Sequence, residues 1–399
     1  MWKTEVHMLR LLKIKAKGFR MIDDNFELDL TTKTKVYQKD KEHEVFEVNK
    51  SLYLFRSMAF VGKNASGKST VLTLLRNIYV FLQTGRWEYS CLDLKKDKIE
   101  LNLVFYLNDA LYEYDVTFGK IDDDKLVPRT NYSPILNEKL KKLDYNKSRG
   151  IKNLELLIAE GIEANELINS TLGDTSSIIN LTKDAVMYDE FTNNNISNFD
   201  MTLVVNTFYK SLTSCNIELL SSIIKLLDES IEYIKYESAN SVKFKRINEE
   251  EKEMTNFQLL NILSSGTFRG VELYVRCINA LKDGKVLIVD VLENCFQKNL
   301  VNNLLVLFND SEINIKNAQI IFSTHYFEIL DNLDRRDSIY IAHKINGKIT
   351  IRNFYDYNIR TELLKSNLFD NNVFDTSLNY EQLMNVRRML KHELQTNND

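Results

Sequence analysis

Apolar residues fall at alternate positions through Leu12, Ile14 and Ala16 and again through Phe26, Leu28 and Leu30, a period of two that predicts a two-stranded opening. SMAFVG (57–62) predicts a buried strand, and after it Val71, Leu74, Leu75, Ile78 and Leu82 recur at the spacing of a helix. KIELNLVFYLNDALYEYDVTF (98–118) alternates on both sides of Asn108-Asp109, the pattern of a hairpin. From about 125 to 255 the character changes: NLELLIAEGIEANELI and IELLSSIIKLLDESIEYI predict amphipathic helices, hence a helical insert. GKVLIVD (284–290) and AQIIFST (318–324) are short β-rich runs separated by FQKNLVNNLLVLF, whose pattern is helical. Strand, helix, strand predicts a parallel pair in one sheet. DSIYIAHKINGKITIRNF predicts a second hairpin turning at Asn346-Gly347, and YEQLMNVRRMLKHELQ a final helix.

These elements make an α/β core with a mixed sheet, divided as 1–125 and 256–345, an insert at 126–255 and a C-terminal extension at 346–399. Composition is that of a soluble globular chain, 44% hydrophobic and 27% charged with only two prolines. No apolar run approaches the ~18 residues of a membrane span, and the N-terminus lacks the shape of a secretory signal, so a cytoplasmic protein is expected. Cys91, Cys215, Cys277 and Cys295 stand apart, with no CxxC pair and no His at metal spacing, which argues against zinc or a disulfide framework. A net charge of −4 gives no global attraction to nucleic acid.

Chemistry concentrates in FVGKNASGKST (60–70), where Gly62, Gly67, Lys68 and Ser69 match G-x-x-x-x-G-K-[ST] between a strand and a helix. Glycines let backbone N–H groups close on a phosphate, and the helix start aims its positive dipole end at the anion. In such a loop Lys68 is placed to neutralise the β and γ oxygens, and Ser69 can ligate Mg²⁺. The strand end VLIVD supplies Asp290 for the magnesium. LSSGT (263–267) places Ser264, Ser265 and Gly266 at the start of a helical run, as a phosphate grip or as a plain N-cap. His325 follows the strand IIFST and falls at the same sheet edge, in a position where a structural histidine is the commoner finding.

Taken together, these motifs resemble the ATP-binding cassette type of P-loop ATPase: phosphate loop GKNASGKST, signature LSSGT, acidic strand VLIVD and switch histidine in STH. Order and spacing resemble the stand-alone OLD-like and SMC-like ATPases, and LLKIKAKGFR, LYEYDVTF and RRDSIYIAHKINGKITIRNFYDYNIR look like the AAA-type ATPases of bacterial abortive-infection and other antiphage systems, over roughly 1–120 and 255–360. The resemblance implies that Gly62, Lys63, Asn64, Ala65, Ser66, Gly67, Lys68, Ser69 and Thr70 form the ATP loop, that Ser69 and Asp290 hold Mg²⁺, and that His325 senses the γ-phosphate. Arg20 is a candidate adenine neighbour. It also implies a head-to-tail homodimer in which Ser264, Ser265 and Gly266 reach a nucleotide held by the second copy, and a separate toxic effector, a nuclease. No glutamine for the loop that links the lobes stands out.

One position departs from the family. The carboxylate that orients the attacking water follows the strand-end Asp directly, and here that residue is Val291. Glu293, two residues on, is the carboxylate that remains as a catalytic candidate beside Lys68, Asp290 and His325, though it is expected in the segment that faces the partner and so to be a poor geometric substitute. Tight ATP binding with slow hydrolysis is the expectation. The run NEKLKKLDYNKSRGIKN (137–153), with Lys139, Lys141, Lys142, Lys147, Arg149 and Lys152 around Tyr145, reads as a solvated helix face, or as a surface for nucleic-acid phosphates or for a partner's acidic face. Two rival functions stay open: an SMC-like DNA repair or chromosome ATPase, which would want a long coiled coil that about 130 residues of insert do not supply, and an ATP-binding scaffold without catalysis.

Overall fold

Strands that alternate in sequence build one sheet, and strands apolar throughout build another. The computed structural model describes residues 8–49, 52–88, 98–119, 132–143, 162–164, 175–185, 187–191, 216–238, 241–293, 296–357, 359, 363–376 and 380–396. The first sheet is antiparallel, in the order β2 (Phe26–Asp29), β1 (Arg10–Lys17), β6 (Lys98–Leu107), β7 (Ala110–Gly119), β8 (Ile135–Leu143), β9 (Ile162–Glu163). The hairpin of β6 and β7 turns at Asn108 and Asp109, both left-handed at φ 50° and 58°, as a two-residue primed turn needs.

The second sheet runs β10 (Tyr188–Phe191), β14 (Val286–Val289), β15 (Gln319–Ser323), β5 (Ser57–Val61), β16 (Ile339–Ile345), β17 (Lys348–Asn353). All its pairings are parallel except the β16–β17 hairpin, whose Asn346-Gly347 turn also has positive φ. Successive side chains on these strands point to opposite faces, and both faces are buried. Met58, Phe60, Ile288 and Ile321 meet the helix α2 (Lys68–Thr84) and the first sheet in one core. Ala59, Val61, Leu287, Val289, Ile320 and Phe322 meet α6 (Ser265–Asp283) and α7 (Lys298–Asn309) in the other. α2 thus lies between the sheets, with Val71, Leu74, Leu75, Ile78 and Leu82 buried, as their spacing predicts.

Among the described residues the insert, expected to be helical, holds strands as well as helices. IELLSSIIKLLDESIEYI is helical only through α4 (Ile217–Leu227); Asp228 Oδ1 then accepts from the Ser230 N–H (3.0 Å) and hydroxyl (2.6 Å), a local turn that ends the helix. The chain continues as β11 (Ile231–Ser238), which joins β12 (Ser241–Arg246) and β13 (Lys252–Met254) in a three-stranded antiparallel sheet. A bulge between Ile231 and Tyr233 breaks the period of two, so buried Ile231 and Ile234 stand three apart and mimic a helix. The lysine run is also a strand where it is described: on β8, Lys141 lies opposite Glu113 and its Nζ pairs with that carboxylate at 3.1 Å. Tyr145, Lys147, Arg149 and Lys152 lie outside the described residues, as do Cys91, Cys215, Cys295 and all of NLELLIAEGIEANELI but 162–164. Cys277 is a buried free thiol. The expected last helix is present as Tyr380–Thr396, and among the described residues no helix is long and apolar enough to cross a membrane.

Candidate nucleotide site

The parallel strands bring their carboxyl ends to one edge, and the loops leaving β5, β14 and β15 carry the predicted chemistry there. Residues 62–67 join β5 to α2. Gly62 and Gly67 take φ of +145° and +109°, and a Cβ would lie 2.6 Å from the Ala342 carbonyl oxygen at the first and 2.5 Å from Ile349 at the second. Only glycine fits either place. The loop is thereby pressed onto the β16–β17 hairpin, a support that its own sequence does not announce. Ala65 is left-handed too, at φ 61°, and the Ser66 N–H donates to the Lys63 carbonyl (3.1 Å) to close the turn.

Lys68 opens α2 with its side chain folded back, Nζ donating to the carbonyls of Gly62 (2.8 Å) and Lys63 (3.2 Å). Burial pushes its ammonium down to about 8, opposed by the charges of Asp290 and Glu293. Ser66 Oγ is buried with no hydrogen-bond partner among the described residues, while Asn64, Ala65 and Ser69 are exposed and Thr70 is half-buried. Lys63 reaches Asp375 of the C-terminal extension at 3.6 Å, a contact with no sequence signal.

Asp290 leaves β14 and is held by Ser323, whose hydroxyl donates to Oδ1 (2.6 Å) and accepts from the Val291 N–H (2.7 Å). Ser323 was missed in the sequence; its place at the end of IIFS, one strand over, is the signal. Val291 is left-handed at φ 57°, rare for a β-branched residue. Glu293 is only 8% exposed, and Oε1 accepts from the backbone N–H of His325 at 2.5 Å. The left-handed turn at Val291, with the Leu292 N–H on the Ser323 carbonyl (2.9 Å), wraps the segment back toward the strand ends. Partial burial, and next the Lys68 charge, hold the His325 imidazole below its usual range, with Glu293 and Asp290 opposing. Lys68, Asp290, Glu293 and His325 are therefore one electrostatic group, from three loops.

The signature residues are not part of that group. Ser264 caps α6, Oγ accepting from the Thr267 N–H at 3.0 Å, and Ser264 and Ser265 are exposed with Gly266 half-buried. Among the described residues no hydrogen bond or ion pair joins Ser264, Ser265 or Gly266 to the phosphate loop. Beside them Phe257 and Ile262 of α5 (Asn256–Ile262) are 50% and 41% exposed. Arg20 sits in a left-handed turn with its guanidinium 5.3 Å from the centre of the Phe19 ring. That turn is tied to β17: the Ile349 N–H donates to the Met21 carbonyl (2.7 Å) and the Ile349 carbonyl accepts from the Asp23 N–H (2.9 Å). Through Ile349, Arg20's turn and the phosphate loop rest on one strand.

Among the described residues no group of three or more His, Cys, Asp or Glu side chains is arranged around a metal position. A Ser69 hydroxyl and an Asp290 carboxylate would offer oxygen donors of the kind that suits Mg²⁺, an ion that takes one or two protein oxygens and completes its shell with water and phosphate.

No curated protein matches the chain. Among solved structures it is similar to the SMC head domain from Thermotoga maritima, at 14% identity and a TM-score of 0.41 over 86% of this chain and 98% of that one. The family described as "AAA domain, putative AbiEii toxin, Type IV TA system" matches residues 57–331, more than half of the 399-residue chain and a span from β5 and its phosphate loop past His325. By that match the chain belongs to this family of AAA domains.

Proposed function

We propose that the protein binds ATP with Mg²⁺ in the loop around Lys68 and uses it to hold a head-to-tail homodimer, a nucleotide-dependent switch with slow hydrolysis. The observation that carries this reading is the gathering of Lys68, Asp290, Glu293 and His325 at the edge where the glycine loop meets the helix start. Ser69 and Asp290 hold the metal, which offsets charge on the phosphates. Gly62 to Thr70 cradle the triphosphate, Arg20 neighbours the base and His325 senses the terminal phosphate. Ser264, Ser265 and Gly266 act on a nucleotide of the second copy; their exposure, and that of Phe257 and Ile262 next to them, supports a role in an interface. Slow turnover follows from Val291, which has no carboxylate. The family's description, which names a putative AbiEii toxin of a TA system, supports a setting in abortive infection; in that setting the proposed partner that this chain governs is a separate effector, a nuclease.

The experiment is sedimentation of the purified chain with and without ATP and Mg²⁺, beside Ser264→Arg. Dimer formed only with nucleotide, and lost in Ser264→Arg while ATP still binds, is the expected result. A monomer at saturating ATP contradicts the proposal.

A further inference from the structure

Glu293 is a buried carboxylate with half of its hydrogen-bonding capacity unused, and the switch proposed above leaves it without a task. We propose that Glu293 is the proton acceptor for the slow attack of water on the terminal phosphate, a less well placed stand-in for the carboxylate that the chain lacks at position 291. This rests on the reading of the site as an ATP site.

Three observations converge on it. Oε1 is fixed by the His325 N–H at 2.5 Å, so the carboxyl group is oriented by the backbone that leaves β15. Oε2 is fully enclosed and has no hydrogen-bond partner among the described residues. An ionised carboxyl oxygen left so is costly, and native structures keep such groups mainly where a ligand, a water or chemistry uses them. Finally, the charged groups around it are those of the phosphate site: Lys68 from the start of α2, and His325, both of which feel its charge together with that of Asp290.

Backbone conformation explains how a residue three places after Asp290 comes to face the site. Val291 holds a left-handed conformation that costs about 1–3 kcal/mol for such a residue and persists only where its surroundings impose it. They do: the Val291 N–H is bound to Ser323 Oγ and the Leu292 N–H to the Ser323 carbonyl. With that turn in place Glu293 is buried, its Oε1 on the His325 N–H and its carbonyl accepting from the Phe296 N–H (3.0 Å). The step is then ordinary phosphoryl transfer to water. A bond forms between the water oxygen and the γ-phosphorus. The bond from the γ-phosphorus to the β–γ bridging oxygen breaks, and its electron pair leaves with the nucleoside diphosphate. The water proton goes to Glu293 Oε2, and the products are the diphosphate and inorganic phosphate.

Glu293→Gln separates this role from a structural one, because the amide oxygen still accepts from the His325 N–H while the side chain no longer takes a proton. The test compares the unmodified chain, Glu293→Gln, Glu293→Gln with Val291→Glu, and Lys68→Ala. Single-turnover release of phosphate is measured beside affinity for a fluorescent ATP analogue and the thermal midpoint. The expected result is a fall in turnover of about 10²- to 10⁴-fold in Glu293→Gln, with affinity and midpoint unchanged, and recovery when Val291→Glu restores a carboxylate nearby. Turnover in Glu293→Gln equal to that of the unmodified chain overturns the proposal. So does an unmodified chain without turnover, or a Glu293→Gln chain that loses affinity in step with turnover. Unchanged affinity in Lys68→Ala overturns the ATP reading itself, whatever Glu293 does.

Discussion

Replacing Gly67 by alanine puts a methyl group where the site has least room for one. The new Cβ would stand 2.5 Å from Ile349 Cγ2 and 2.7 Å from Cγ1 and Cδ1, on a backbone at φ +109°. The conformation alone costs an alanine about 1–3 kcal/mol. Crowding adds about 1–3 kcal/mol if nothing moves, and Ile349 moves poorly, being 1% exposed and bonded through its own N–H and carbonyl to the turn after β1. The loop is the softer partner, so it shifts off the hairpin and carries the N–H groups at the start of α2 out of place. Most of the cost then falls on binding: a loss of about 1–3 kcal/mol is a ~5- to 150-fold weaker ATP complex. The fold survives, since domain stability is typically ~5–15 kcal/mol. Calorimetric titration with ATP and Mg²⁺, run beside thermal melting, measures both quantities. A Gly67→Ala chain that binds ATP as tightly as the unmodified one refutes the reasoning.

Two further outcomes follow from the same geometry. Burial pushes the Lys68 ammonium down to about 8, and bound phosphate oxygens would raise it; ATP affinity is then at its full value below that pH and falls above it, by up to about tenfold per pH unit. Affinity that stays constant from about pH 7 to pH 9.5 contradicts this. Asp337→Ala removes two bonds from Arg335, to Nε (3.0 Å) and Nη2 (2.6 Å), and leaves a buried guanidinium with Asp40 (2.9 Å) as its remaining carboxylate among the described residues, beside the Lys35 carbonyl and the Thr34 oxygens. A loss of about 3–5 kcal/mol is expected in urea unfolding, and one well below 1 kcal/mol would mean that water replaces the carboxylate.

Much of the core was legible because its patterns are unbroken. The run from Ser57 to Val61 is apolar on both faces, Val71 to Leu82 keeps a helical stripe, and both hairpins carry turn residues that accept positive φ. The strands of 126–255 were not legible. At Ile231 and Ile234 a bulge imitates a helical period, and on β8 the lysines answer acids on a neighbouring strand, which no local window contains. At the site, Asp290 and His325 could be read at one sheet edge because each lies within two residues of a strand end, and Lys68 because it follows the glycine loop that leaves a third. The orientation of Glu293 is not legible, because it depends on the left-handed turn at Val291, and nothing in a valine announces one. The hairpin under the phosphate loop escaped for a related reason: Ala342 and Ile349 touch Gly62 and Gly67 only through the tertiary fold.

Most directly, the account is tested by ATP affinity and self-association of Lys68→Ala measured against the unmodified chain. It predicts that the variant stays folded, binds ATP far more weakly and no longer dimerises when ATP and Mg²⁺ are added. A variant that binds and dimerises as the unmodified chain does contradicts it.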